Sequence, residues 1–377
     1  MRTPCYIFDI DLFHNRIRQV KSALREIPLV YSIKANPFLI PYIPEEIDHL
    51  EVCSPGELAI CREYKVPPGR IIYSGVMKEA WDIEEALSYG VDIITAESLR
   101  HYELIKEISL KTGRKAEILP RLSSGNQFGM SVDDIRTILK DAGSCDNVHI
   151  KGLHYYSGTA KGVKQVAGDV KKLEGAAEAL RAESGFECGL LEYGPGLAAE
   201  CFADTEDKCE EKDMELLTSV SPVIHEMSEK YHLSIEMGRF FTAPCGTYET
   251  TVMDIKSTDG VSYIITDGGM HHLKYYGQNM AMKSPVIVHE GVGEERDYTI
   301  CGSLCTTADV LVRNIGLKGV KPGDILDFKL AGAYSVTEAP VLFLSRSMPA
   351  IYARSEKDGT VMLRDACGSY LINLSGK

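Results

Sequence analysis

Short apolar runs alternate with amphipathic stretches through the first two-thirds of the chain. The runs fall at 29–35 (LVYSIKA), 49–54 (HLEVCS), 70–75 (RIIYSG), 91–97 (VDIITAE), 116–123 (AEILPRLS), 149–156 (HIKGLHYY), 190–196 (LLEYGPG) and 233–239 (LSIEMGR). Between most of them lie segments of helical period, such as EAWDIEEALSYG, VDDIRTILKDAG and KQVAGDVKKLEGAAEALRAE. Apolar runs of strand length that alternate with helices predict parallel βαβ units. Eight units over about 215 residues predict a (β/α)8 TIM-like barrel. Ser54-Pro55-Gly56-Glu57 predicts a helix start, as a capping box with proline in the first turn.

The pattern changes after residue 240. TYETTVMDIKSTDGVSYIIT, PVIVHE, DYTICGS and GDILDFKL are rich in β-formers and are broken by Asp-Gly and Pro-Gly. They predict antiparallel strands joined by hairpin turns. The expected organisation is a barrel over 12–240 and an antiparallel β-sandwich or barrel domain over 241–377. The opening strand, within 1–11, suits either and is assigned to the second.

Composition narrows the function. Of 377 residues, 44% are hydrophobic and 25% charged, a soluble globular mix. The net charge of −13 argues against nucleic acid or an anionic membrane as partner. No apolar run approaches the roughly 18 residues a membrane span needs. The N-terminal MRTPCYIFDID lacks an export pattern, and the eleven scattered cysteines read as reduced, cytoplasmic thiols. Cys301 and Cys305 are followed by no matching Cys/His pair, so no metal is expected.

The polar residues then gather where barrel chemistry resides, at the carboxyl ends of strands. Lys34 ends the first run, Glu51 and Ser54 the second, and Arg121 the fifth. His154, Tyr156 and Thr159 end the sixth, Gly194-Pro195-Gly196 the seventh, and Glu236 with Arg239 the eighth. Loops after the last two strands of such barrels suit a phosphate, which bare backbone N–H groups and a guanidinium would hold. A lysine that loses water at a strand mouth becomes a candidate nucleophilic amine. Each residue also has a plainer reading: a solvated lysine, a Gly-x-Gly turn, a local Glu236–Arg239 ion pair, a core histidine. Together at one barrel end, an amine, a carboxylate for a ring nitrogen and a phosphate cradle point to pyridoxal 5′-phosphate.

YSIKANP, EVCSPGELA, GLHYYSGT, YGPG, EMGRF, DGGMHH, CGSLCTTADVL and AGAYS occur in this order over nearly the whole chain. In this combination the chain resembles the fold type III pyridoxal-phosphate decarboxylases, the diaminopimelate and ornithine/arginine decarboxylase family with the alanine racemase-like fold. Its nearest resemblance is to the branch acting on aminoacyl carrier proteins or in exopolysaccharide-type contexts. The resemblance implies an amino-acid α-decarboxylase in which Lys34 holds the cofactor covalently and Cys305 is the catalytic acid. It puts Glu236 on the ring nitrogen, Arg121 and His154 near the ring, and Glu51 near Lys34. It puts Thr159, Gly194, Gly196, Gly238, Arg239 and Tyr334 around the phosphate. Thr306 and Asp309 fall on the substrate side. It also implies a head-to-tail homodimer in which Cys305 serves the other subunit's site.

The departures matter as much. Tyr156 stands where relatives carry a ring-stacking histidine, and Pro195 interrupts a triple-glycine loop. Glu51 replaces an aspartate, and Thr306 replaces an acid that meets a distal amine. HHLKYYGQN replaces the segment that carries an arginine for a distal carboxylate. The substrate is thus expected to be an amino acid or a carrier-bound aminoacyl group other than lysine, ornithine or meso-diaminopimelate. Two alternatives stand beside this reading. One is a racemase on the same barrel, against which Glu236 and CGSLC speak. The other is an inactive cofactor-binding regulator, which the retained Lys34, Glu236, Arg239 and Cys305 disfavour.

Overall fold

Strands covered on both faces need apolar side chains on both sides, and the early runs supply them. In the computed structural model, which describes residues 1–278 and 280–376, Leu29–Ser32, Ile71–Tyr73, Ile93–Ala96, Leu191–Gly194 and Leu233–Met237 are buried at every position. Asn279 and Lys377, the latter ending the expected second domain, lie outside the described residues. The chain forms two units, one of Ile17–Ala198 with Met214–Gly238, the other of Met1–Arg16, Ala199–Asp213 and Arg239–Lys377.

The first unit is the parallel barrel. From one end, its sheet runs Val148–Ile150, Ala116–Pro120, Ile93–Ala96, Ile71–Tyr73, His49–Val52, Leu29–Ser32, Leu233–Met237, Leu191–Gly194 and Leu153–Tyr156. A parallel bridge between Arg121 and His154 and the bond from Leu122 N–H to the His154 carbonyl (2.9 Å) join its flanks. Val30, Ile72, Ile93 and Leu119 form a cluster in its core.

The run 149–156, expected as one strand, is two: Val148–Ile150 beside Ala116–Pro120, and Leu153–Tyr156 beside Leu191–Gly194. Gly152 makes the step possible. A side chain there would collide with the backbone of Leu190, whose carbonyl accepts from Leu153 N–H at 2.9 Å.

The outer helices are fixed by their caps. Ser131 accepts from Asp134 N–H at 3.1 Å while Asp134 returns a bond to Ser131 N–H at 3.1 Å, and Ile135, Ile138 and Ala142 are buried. The box expected at Ser54 is only half reciprocal. Ser54 Oγ accepts from Glu57 N–H at 3.1 Å, but the Glu57 carboxylate reaches one residue further back, to Cys53 N–H at 2.6 Å.

The second unit holds a mixed sheet. Its order is Val310–Lys318, Glu295–Cys301, Val261–Thr266, Gly246–Thr258, Cys5–Asp9, Ala350–Ser355 and Gly359–Arg364, with Ile325–Phe328 also paired to Gly246–Thr258. Asp259-Gly260 makes the expected tight hairpin, both residues at positive φ. Pro322-Gly323 instead joins strands that are not neighbours. Two pairings depart from the antiparallel expectation: Cys5–Asp9 lies parallel to Ala350–Ser355, and Val261–Thr266 parallel to Glu295–Cys301. Within this unit Arg16 and Asp213 form a buried ion pair at 2.8 Å. Among the described residues no helix is long and apolar enough to cross a membrane, and all eleven cysteines are free.

One cation is enclosed just past the strand Ile71–Tyr73. Lys78 Nζ donates to the Gly75 carbonyl at 2.6 Å and lies 5.8 Å from the Tyr73 ring centre. Burial lowers its pKa from 10.5 to about 8, against the pull of Glu97, Cys53, Asp82 and Glu51.

Two outcomes follow from these features. Gly152→Ala should lower stability by about 1–3 kcal/mol, because the new methyl must push apart two bonded strands. A urea midpoint that does not move would contradict that account. Between pH 8 and 10.5 the unfolded chain keeps the Lys78 proton that the folded chain has released. Stability from this group therefore rises with pH across that window, by at most about 1.4 kcal/mol per pH unit. Urea titrations from pH 8 to 10 should show a shallower rise in Lys78→Met than in the native protein.

Candidate active site

Lys34 lies in the single turn Ile33–Ala35, immediately after the strand Leu29–Ser32. Its neighbours come from other strand ends. Lys34 Nζ pairs with the Glu51 carboxylate, lies 3.4 Å from Glu236 Oε1, and approaches Cys53 Sγ at 3.5 Å. Glu51 and Glu236 are buried, whereas about a third of the Lys34 side chain (35%) remains open.

Glu236 is the best-supplied anion of the group. Its Oε1 accepts from Ser32 Oγ at 2.5 Å, and His154 Nε2 faces its Oε2 at 3.1 Å. A carboxylate only accepts, so Nε2 carries the proton in this contact. Burial works to raise the Glu236 pKa, but Lys34, His154 and Ser32 overcome it and hold the carboxyl well below its ordinary range. Cys53 goes the other way: burial, then Glu51, push its thiol far up, and its S–H faces Glu51 Oε1 at 3.0 Å.

Arg121 is held beside this group by a buried ion pair with Glu97 (2.7 Å) and by the Tyr156 carbonyl (3.3 Å). Tyr156 packs on Gly194 so closely that a methyl there would lie 2.7 Å from its ring. Gly196, at φ +55°, approaches the carbonyl of Gly158 and the Cα of Thr159, so any side chain would separate the two loops. Gly238 packs on Ala35 and Ser32 in the same way.

Under these loops lies a polar cage. Asp169, on the helix Val163–Ser184, receives Lys161 Nζ at 2.5 Å, Ser157 Oγ at 2.7 Å and the Tyr193 hydroxyl at 3.0 Å. The Lys161 ammonium also lies 5.6 Å from the Tyr156 ring centre.

The barrel thus brings together Lys34, Glu51, Arg121, His154, Tyr156, Thr159, Gly194, Gly196, Glu236 and Gly238 at strand ends and the loops that follow. The remaining expected residues belong to the other unit. Arg239 opens the helix Arg239–Thr242, and its guanidinium lies 4.5 Å from the Tyr334 ring centre and 4.9 Å from that of Tyr276. Cys305 and Thr306 occupy an exposed to half-buried loop. Asp309, expected on the substrate side, spends its oxygens on Met270 N–H (2.7 Å) and Leu304 N–H (2.8 Å), which fastens that loop.

Sequence reasoning passed over Ser32, Cys53, Glu97, Asp169 and Glu192. Glu97 ends the fourth run and Glu192 interrupts the seventh, LLEYGPG. A charge inside an otherwise apolar run was the available signal for both. Asp169 gave none, because one acid on an amphipathic helix reads as surface.

The residues fit pyridoxal 5′-phosphate. An amine stands beside an anionic carboxylate, and glycines leave backbone bare at the adjoining loops. The family model "Pyridoxal-dependent decarboxylase, pyridoxal binding domain" matches residues 10–243. The chain is 27% identical to the L-glutamyl-[BtrI acyl-carrier protein] decarboxylase of Niallia circulans, over 92% of this chain and 87% of that protein. It is 26% identical to the 2-[(L-alanin-3-ylcarbamoyl)methyl]-2-hydroxybutanedioate decarboxylase of Staphylococcus aureus, over 94% of both. The crystal structure of diaminopimelate decarboxylase from M. jannaschii in complex with L-lysine superposes with a TM-score of 0.87 at 22% identity, covering 97% of this chain and 89% of that one. With more than half its length matched by the pyridoxal-binding model, and with the amine and its carboxylates assembled in the barrel, this chain belongs to the pyridoxal-dependent decarboxylase family.

Proposed function

We propose that this protein removes the α-carboxyl group of an amino acid, presented free or as an aminoacyl group on a carrier protein, as CO2. Pyridoxal phosphate, when bound, supplies the electron sink for the carbanion that this loss leaves. The observation that carries the reading is the placement of Lys34 Nζ between two buried carboxylates, one of them held anionic by several donors.

The residues divide the work. Lys34 offers the amine that binds the cofactor and exchanges with the substrate, and Glu51 accepts a proton from Nζ so that the amine can act as a nucleophile. Glu236 would pair with the ring nitrogen, where its fixed negative charge would favour the protonated form. Arg121, His154 and Tyr156 are the residues that would hold the ring. The Lys161–Asp169 cage holds the Tyr156 loop in place. Thr159, Gly194, Gly196 and Gly238 would line the phosphate end. Cys305 returns a proton to the substrate carbon.

Cys305 acts in a homodimer, on the other subunit's site. Its loop adjoins apolar surface on its own unit. Arg346 donates to the Ser303 carbonyl at 2.9 Å, and the exposed Leu342, Phe343, Leu344, Leu371 and Ile372 lie in the flanking segments. Such a surface suits a second copy of the chain. The free thiols suit a reducing, cytoplasmic setting. Thr306 carries no charge to meet a distal amine, which leaves a neutral or acyl-linked side chain as the better match.

Borohydride should fix the cofactor to Lys34, and Lys34→Ala should release no CO2 from any member of a panel of free and carrier-loaded amino acids. Label found on a different lysine would refute the assignment. In the same panel lysine, ornithine and meso-diaminopimelate should lag by about one to two decades in kcat/KM, the worth of one charge-assisted bond of about 1.5–3 kcal/mol. Efficient turnover of any of the three would overturn the substrate reading. Mixed Lys34→Ala and Cys305→Ala subunits should regain part of the activity that each parent lacks. Exchange of subunits, verified by mass, with no regain would rule out a shared site.

A further inference from the structure

Near Lys34 and His154 stand three buried acids, Glu51, Glu192 and Glu236. Two of the acids have donors. Glu51 has Lys34 and the Cys53 thiol; Glu236 has Ser32, Lys34 and His154. Glu192 has none among the described residues: it is wholly buried, and both carboxyl oxygens lack a hydrogen-bond partner. Strand register puts it between His154 on one side and Ser234 on the other. Polar atoms of His154, Glu192 and Glu236 all lie within 4.8 Å of one another.

An ionised carboxylate without a donor is among the costliest groups to bury. Two ionised carboxylates this close, away from water, repel strongly, so one keeps its proton. The donors decide which. Those around Glu236 stabilise its anion, and nothing does so for Glu192, whose neutral form loses least on burial. The charged and titratable groups facing Glu192 are Glu236, Glu51, Lys34 and His154. Burial, then Glu236 and Glu51, favour its protonated form, and only Lys34 opposes them.

We propose that Glu192 and Glu236 hold a single proton between them, carried on Glu192, and that Glu192 is thereby a positioning residue that keeps Glu236 the one fixed anion opposite the cofactor's ring nitrogen. This rests on the role given to Glu236 above. Glutamine matches a neutral glutamic acid in shape and charge, so Glu192→Gln preserves the arrangement. Glu236→Gln removes the anion while leaving the neutral acid where it is.

Infrared difference spectra of the full-length protein near pH 7 test the proton directly. The carbonyl band of a buried, protonated carboxyl should vanish in Glu192→Gln and persist in Glu236→Gln. Cofactor titration of the same proteins, after the cofactor is stripped, tests the consequence. Glu236→Gln should bind at least about tenfold more weakly, and Glu192→Gln within about threefold of the native protein. If Glu192→Gln does not fold, Glu192→Met, neutral and similar in volume, carries the same expectations. An acid band that survives in the Glu192 variant, or one lost in Glu236→Gln, overturns the proposal, as does equal weakening by both substitutions. Failure of every form to bind the cofactor would defeat the functional reading, and the infrared band would still decide where the proton resides.

Discussion

An ammonium group beneath the mouth of a barrel is tolerable only if carboxylates surround it, and the site is arranged around that requirement. Lys34 meets Glu51 and Glu236, each from a different strand and each buried. The carboxylates then need donors of their own. Ser32 and His154 supply them for Glu236, while the Cys53 thiol faces Glu51. Ser32 and Lys34 meet Glu236 from the adjoining strand, Lys34 meets Glu51 on its other side, and His154 reaches Glu236 across one intervening strand, so the hydrogen-bonded register of the barrel sets the geometry of the chemistry. A slip of one residue in any of these strands would turn the acid away from the amine.

Glycine performs the complementary task of bringing backbone close where side chains would intrude. Gly152 allows two short strands to share one place in the barrel, and Gly196 lets two loops touch. The loop bearing Gly158 and Thr159 is then held from below by Lys161 and Asp169, a buried pair whose charges are shared with Ser157 and Tyr193. Burial outweighs Asp169 and draws the Lys161 pKa down, so this pair serves geometry more than net stability.

Much of this could be read from the chain, for a physical reason. Parallel strands buried on both faces announce themselves as apolar runs, and a polar residue that ends such a run is conspicuous. Lys34, Glu51, Arg121 and Glu236 were found that way. Glu192 was not, because a lone acid inside LLEYGPG has no local partner to give it meaning; its neighbours lie on adjacent strands. The break at Gly152 escaped for a similar reason, since it depends on Leu190, far along the chain. The parallel pairing of Cys5–Asp9 with Ala350–Ser355 was equally invisible. Strand propensity identifies strands, but not partners hundreds of positions away.

That pairing also bears on how the molecule comes into being. Cys5 is laid beside Glu249 on one side and Ala350 on the other, so this strand must wait for partners made hundreds of residues later. Most barrel strands, in contrast, find a neighbour within the next few dozen residues of chain. On a ribosome, the barrel can begin to assemble while the strand Cys5–Asp9 of the other sheet still lacks one neighbour. Until Ala350–Ser355 emerges, CYIF presents an unpaired, apolar edge, the kind of template on which nascent chains stick to one another. Timing of synthesis, and protection of that one edge, thus become part of what the sequence has to manage.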